Sequence, residues 1–283
     1  MNTKSNWKRA AQFAVVLLSA LALKQYYSNA SVNQLRWILT PTTLVVEFLT
    51  GSKFEFESHA GYMSSDHRFV IAASCAGVNF LLTAFLMLSL RKLWSARASS
   101  WRFIPFAALV AYLATVIANT VRISTALQLQ RMNVEISWLS ANQLHRAEGI
   151  FIYFGFLLLL FLLSERISRP SPQASDLSDT DRRRTATLQV GRSSLLRQSF
   201  LPLLIYYATT LGIPIVTTAY RSGPAPAEFW EHSVFVLLAP LILFVPLAAF
   251  QFVIANREKC GRNAQGHVVS RPVRQSSALN SGF

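Results

Sequence analysis

Acidic residues are scarce in this chain: 13 Asp and Glu among 283 residues, against 27 Lys and Arg. Charged residues of both signs make up only 14%, while 52% are hydrophobic. An ordinary soluble domain carries about a quarter charged residues, so a fully water-exposed surface is excluded. Cysteine is nearly absent. Cys75 and Cys260 are the two present, too few for a disulfide framework. Common catalytic signatures are missing as well. There is no His-Glu-x-x-His zinc motif, no Gly-x-Ser-x-Gly nucleophile elbow and no phosphate-binding Gly-rich loop. His59, Asp66 and His67 fall in one short stretch, but their spacing matches no metal motif, and they read as solvated loop residues. Neither a metal nor a cofactor is expected.

What the chain has is length of apolar sequence. Six runs stand out, at about 10–27, 70–90, 103–121, 147–163, 200–219 and 233–254. A bilayer crossing needs about 20 apolar residues, so the expected fold class is an all-α polytopic membrane protein of about six spans. Threading all six with the N-terminus inside puts 1–9, 91–102, 164–199 and 255–283 on the cytoplasmic side. Those four pieces hold 19 of the 27 basic residues and 5 of the 13 acidic ones. The whole net charge of +14 thus falls on one side. That is the positive-inside pattern, and it orients every crossing consistently. The basic excess is an orientation device that also meets anionic lipid, and nucleic acid is not an expected partner.

The pieces between the runs carry their own signals. Lys4, Lys8 and Arg9 precede the first apolar run, as in a signal peptide or signal anchor; Ser28-Asn29-Ala30 makes only a weak cleavage site, so an uncleaved anchor is expected, with Lys24 snorkelling near its outer end. Residues 36–50 are too short to span. Thr40-Pro41 predicts a helix start and Gly51 its end, giving an interfacial or re-entrant helix on the outer face. Lys53 to Glu57 alternates polar and apolar, and Arg68 to Ile71 is a second candidate strand, so a small β-hairpin with its turn at 58–66 is expected. Residues 166–199 form a basic, low-complexity cytoplasmic linker, 200–254 a C-terminal transmembrane hairpin, and 255–283 a basic tail expected to be disordered.

Three side chains from three runs reach the same outer depth. Cys75 stands near the head of the second run, before Ala76 and Gly77, in what is expected to be the first turns of a helix with Ser74 as a cap. Helix N-termini favour a thiolate. Arg122 closes the third run, one turn from Asn119 on the same helix face. Residues 123–146 are expected to follow the outer face as a partly amphipathic link. His145 opens the fourth run, with Glu148 one turn on to orient its ring. A thiol nucleophile needs a base such as His. The tetrahedral oxyanion formed on attack at an amide needs a cationic or N–H donor such as Arg122. The set points to a cysteine peptidase or transpeptidase at the outer membrane surface. Because all three residues precede Glu165, a chain ending near Ser178 is expected to keep activity.

Cys75-Ala76-Gly77, Asn119-x-x-Arg122-Ile123 and His145-x-x-x-Gly149, in that order and each at a helix end, resemble the exosortase/archaeosortase family. The short core over about residues 10–165 looks closest to the exosortase K type. The resemblance implies a bacterial inner-membrane enzyme with catalytic Cys75, Arg122 and His145, supported by Asn119, Glu148 and Gly77. It implies exported protein substrates with a C-terminal sorting helix of PEP-CTERM kind, and an acceptor nucleophile still to be named. Ala76 stands where many relatives have Ser. The competing expectation is a non-catalytic integral membrane subunit of a polysaccharide or lipid export system, in which Cys75 merely packs.

Overall fold

The computed structural model describes residues 3–95, 100–132, 141–168, 201–212, 233–242 and 245. The chain divides into two compact units, Met1–Leu243 and Phe244–Phe283, and the helical bundle with its sheet belongs to the first. Cys260, most of the linker, the outer loop of the C-terminal hairpin and the tail lie outside the described residues.

The first unit is mostly helical. Helix α1 runs Thr3–Asn29 and α2 runs Arg36–Thr50. Strands β1 (Phe54–Glu57), β2 (Gly61–Ser64) and β3 (Val70–Ile71) come next, then a one-turn 3-10 segment, Ala73–Ala76. Helices α3 (Val78–Ser95), α4 (Phe103–Arg131) and α5 (Ala141–Ser168) form the bundle, and two short apolar helices, α6 (Leu201–Gly212) and α7 (Ser233–Ile242), complete it.

Among the described residues three helical stretches are long and apolar enough to cross a membrane: Ala73–Trp94, Phe103–Arg131 and Gln143–Ile167. The expected first crossing forms one helix of 27 residues, but it is not among those three. The expected fifth and sixth are described only over the short helices α6 and α7.

Side-chain contacts orient the bundle. Arg9 of α1 donates to the Leu93 carbonyl at the end of α3 (2.6 Å), while Lys24 reaches Asn79 at the start of α3 (3.0 Å), so α1 and α3 are antiparallel. Arg91 of α3 pairs with Glu165 of α5 at 2.8 Å, lies 5.3 Å from the centre of the Phe161 ring and also donates to Ser164. The last turns of α3 and α5 therefore share one end of the bundle, and their first turns share the other. Ala107, Ala111, Thr115, Ala118 and Asn119 are buried along one stripe of α4. In lipid, helix association rests on close packing rather than on the hydrophobic effect, and small residues allow that approach.

Four local expectations are corrected. First, α2 begins at Arg36, not at Thr40, and Pro41 lies inside it. A proline has no N–H, so the Trp37 carbonyl four residues back loses its helical donor. The Tyr112 hydroxyl of α4 donates to that carbonyl instead (2.9 Å), with the two rings stacked 5.8 Å apart. The helix end is as expected: Gly51 closes it at φ 69°.

Second, the hairpin is a three-stranded antiparallel sheet in the order β1-β2-β3. The predicted turn itself supplies β2, because Tyr62 and Ser64 have a face to bury, while Gly61 accepts φ 124° where a Cβ would meet the Ile71 carbonyl oxygen at 2.3 Å. Glu47 ties α2 to this sheet by accepting from the Phe54 N–H (2.8 Å). Asp66 closes the second turn, and the Ser64 hydroxyl followed by the Arg68 N–H holds its carboxyl below the ordinary range.

Third, Cys75 does not lie in the first turns of α3. It sits in the preceding 3-10 turn, whose N-cap Ala72 makes no side-chain cap, so Ser74 is not a cap either. Gly77, at φ 67°, turns the chain from that segment into α3. Fourth, α4 continues through Arg131 instead of giving way to a surface link near residue 123, and α5 already begins at Ala141. In its extra turns Gln130 donates to the Arg68 carbonyl (3.1 Å) and Arg131 to Ser52 (2.8 Å), fastening the sheet to the bundle.

Candidate functional site

The site lies at the bundle end that carries the first turns of α3 and α5. Cys75 is half-buried in its 3-10 turn and makes no disulfide. Its carbonyl oxygen accepts from the Asn119 Nδ2 of α4 at 2.7 Å. A left-handed turn makes room for this contact: a Cβ on Gly77 would lie 2.8 Å from both the Asn119 Nδ2 and Oδ1. Glycine is thus required at 77 both for its φ and for the amide that occupies the missing side chain's place.

Asn119 is fully buried, and its second amide group is equally committed. The Tyr153 hydroxyl of α5 donates to its Oδ1. Arg122, one turn further along α4, donates through Nη1 to the same hydroxyl at 3.3 Å. Through Nη2 it meets the His145 Nε2 at 3.2 Å. The other ring nitrogen of His145, Nδ1, lies 3.3 Å from the Glu148 Oε2. That distance is within ion-pair range, and neither Glu148 oxygen has a hydrogen-bond partner among the described residues. The Glu148 side chain is 8% exposed and that of His145 45%, so a buried carboxylate faces an imidazole open to the outside.

Gly149 explains how Arg122 fits between α4 and α5. A Cβ at 149 would stand 2.9 Å from the Arg122 Nε. The result is one polar chain, Cys75–Asn119–Tyr153–Arg122–His145–Glu148, drawn from three helical segments. Cys75 also lies within electrostatic reach of Arg122, Tyr153 and Tyr27.

The six residues singled out in the sequence are therefore brought together. Tyr153 was missed, yet it holds the centre. Its signal was the spacing of four, since His145, Gly149 and Tyr153 recur at i, i+4 and i+8 on one face of α5. Lys24, expected to snorkel near the outer end of α1, donates to the exposed Asn79 at the start of α3. His59, Asp66 and His67 stay on the sheet's turns: His59 lies 3.5 Å from Glu57, and His67 adopts φ 56°.

Beside this chain of contacts is a cavity of about 300 Å³. Arg122, Gly149 and Tyr153 line one side of it, and Ser74 and Gly77, which flank Cys75, line another. Its remaining wall is supplied by Tyr206, Thr209 and Thr210 of α6 and Val236 of α7. The Thr83 and Thr209 hydroxyls, 2.9 Å apart, join α6 to α3 at this wall.

Residues 4–162, more than half of the chain, match the protein family described as transmembrane exosortase. The chain belongs to the exosortase family. The matched segment contains Cys75, Asn119, Arg122, His145 and Tyr153, and it ends before α6. The cavity thus has one wall made by sequence outside the exosortase match. Comparison with curated proteins and with solved structures finds no match.

Proposed function

We propose that this membrane protein is a cysteine peptidase or transpeptidase that removes a C-terminal sorting signal from exported proteins. In this reading it works at the outer face of the bacterial inner membrane, with six crossings and both ends in the cytoplasm. The substrate tail is a short recognition motif, a membrane helix and a basic cluster, and the released carboxyl end passes to an acceptor nucleophile. Exosortase-family membership supports the reaction class. The observation that carries the residue assignment is the chain of contacts from the main-chain carbonyl of Cys75 through Asn119, Tyr153 and Arg122 to His145.

In this reading each residue has a role. His145 takes the Cys75 proton, and the thiolate sulfur attacks the scissile carbonyl carbon. The carbonyl oxygen becomes an oxyanion facing the Arg122 guanidinium, whose orientation Tyr153 holds from the side away from His145. Collapse of the adduct expels the amine, which receives the proton from His145, and leaves a thioester on Cys75. Water or an acceptor amine then attacks the thioester, giving its proton to His145, and the thiol is regenerated. Glu148 favours the imidazolium formed midway. Asn119 and Gly77 act earlier, by setting the backbone that carries Cys75.

The test is accumulation of unprocessed substrate in cells carrying Cys75→Ala. Full-length precursor in the membrane is the expected result. Processing at the wild-type level would overturn the assignment and leave a membrane protein in which Cys75 only packs.

A further inference from the structure

The cavity beside Cys75 has an uneven charge. Three cations line it, Lys24, Arg122 and Arg146, and among the described residues no Asp or Glu does. Arg122 is already committed to Tyr153 and His145, but Lys24 has no comparable role. Its ammonium donates to the Asn79 Oδ1 at 3.0 Å and stands 5.7 Å from the centre of the Tyr27 ring. No ion pair among the described residues includes it. An ammonium has three N–H donors, and one neutral amide satisfies one of them.

Lys24 is half-buried near the end of α1, close enough to the aqueous face for its long stem to carry the charge outward. It instead reaches Asn79, an exposed residue that lines the same cavity. Turning a cation from water toward a partly apolar cavity costs desolvation energy, which an anion inside the cavity offsets. The opposite wall offers further donors, the hydroxyls of Tyr206, Thr209 and Thr210. A volume of about 300 Å³ matches the small end of ligand pockets. The cavity also reaches Ser74 and Gly77, so whatever fills it accompanies the chain presented to Cys75.

We propose that the cavity is a subsite for a carboxylate of the polypeptide substrate, bound by Lys24 with the α6 hydroxyls opposite. This rests on the peptidase reading above for the identity of the ligand, while the cationic character of the cavity stands without it. A lipid phosphate shares the same chemistry and is the alternative that the test separates.

The test places a reporter thiol in the cavity lining by Ser74→Cys in the full chain, with Cys75→Ala and Cys260→Ala removing the native thiols. The protein is reconstituted in neutral phosphatidylcholine vesicles. Iodoacetate, a carboxylate, and iodoacetamide, its neutral counterpart, are compared as a rate ratio normalised to the same ratio on glutathione. One cation at cavity distance, partly screened, is expected to raise the ratio about three- to tenfold. Lys24→Gln should return it toward the glutathione value, and Lys24→Arg should preserve it.

A ratio unchanged by Lys24→Gln overturns the proposal, as does a thiol that neither reagent labels, because the cavity would then be closed to solutes. In a second arm, phosphatidylglycerol is added. If it slows the neutral iodoacetamide with Lys24 but not with Lys24→Gln, the anion belongs to a lipid headgroup and the polypeptide assignment falls. Unchanged labelling supports the carboxylate. None of these readouts uses the native thiol, so failure of the subsite and failure of the Cys75 chemistry give different results.

Discussion

Gly149 of α5 and Arg122 of α4 fit only because position 149 has no side chain: a Cβ there would fall 2.9 Å from the Arg122 Nε. The guanidinium cannot retreat freely, since Nη1 and Nη2 are held by Tyr153 and His145. Gly149→Ala should therefore insert normally, because alanine suits a helix, yet push Arg122 off its partners. A misplacement of about 1 Å at a catalytic group can cost about 10²-fold in rate. The expected outcome is strong accumulation of unprocessed substrate at wild-type protein levels, read by immunoblot of membrane fractions. Wild-type processing would show that Arg122 has room to adapt.

Arg122→Lys keeps the charge and loses the planar fork of donors. A lysine ammonium has donors enough, but it cannot reproduce the fixed directions toward the Tyr153 hydroxyl and His145. An oxyanion donor is typically worth about 10²–10³ in rate, and a loss of that order is expected in a precursor-accumulation time course. Tolerance of lysine would mean that Arg122 contributes charge alone.

Tyr153→Phe isolates the hydroxyl. The ring stacks on Phe80 with centroids 5.2 Å apart, and phenylalanine preserves that packing. What disappears is the donor that fixes the Asn119 amide and the acceptor for Arg122. Asn119 is then free to rotate, and its hold on the Cys75 carbonyl weakens. Processing should fall about tenfold or more, in line with a misoriented catalytic group, while thermal stability in detergent stays near wild type. A large stability loss with unchanged turnover per folded molecule would make Tyr153 a packing residue only.

The candidate residues all precede Glu165, so a chain stopped near Ser178 is expected from sequence to keep some activity if it inserts stably. The cavity wall contributed by Tyr206, Thr209, Thr210 and Val236 changes that expectation. A chain stopped after Ser178 should still insert and still contain Cys75, Arg122 and His145, but with the cavity open on one side. Its processing should drop severely at normal membrane levels. Co-expression of residues 179–283 as a separate piece should restore part of it, and unimpaired processing by the truncated chain alone would exclude the hairpin from the site.

Much of this protein was determined by the sequence alone. Long apolar runs between basic segments dictate helices that cross a membrane, because lipid offers the backbone no hydrogen-bond partners and a helix satisfies them internally. The positions of Cys75 and His145 near helix starts follow from where those runs begin, and the three-residue step from Asn119 to Arg122 follows from helical periodicity. Gly51 as a helix end is equally local, since only a residue tolerant of positive φ closes the turn there.

Tertiary structure decided the rest, wherever a group's partner lies far along the chain. Pro41 stays inside α2 because Tyr112, 71 positions later, supplies the hydrogen bond that proline removes. Residues 61–64 form a strand and not a turn because their neighbours on both sides can pair with them. Cys75 leaves the helix for a 3-10 turn because Asn119 enters where Gly77 lacks a side chain. Lys24 of α1 finds its partner in Asn79 of α3, 55 positions later. Tyr153 becomes the hinge of the site because two helices bring Asn119 and Arg122 to one hydroxyl. Composition and periodicity describe one segment at a time, and these contacts exist only between segments.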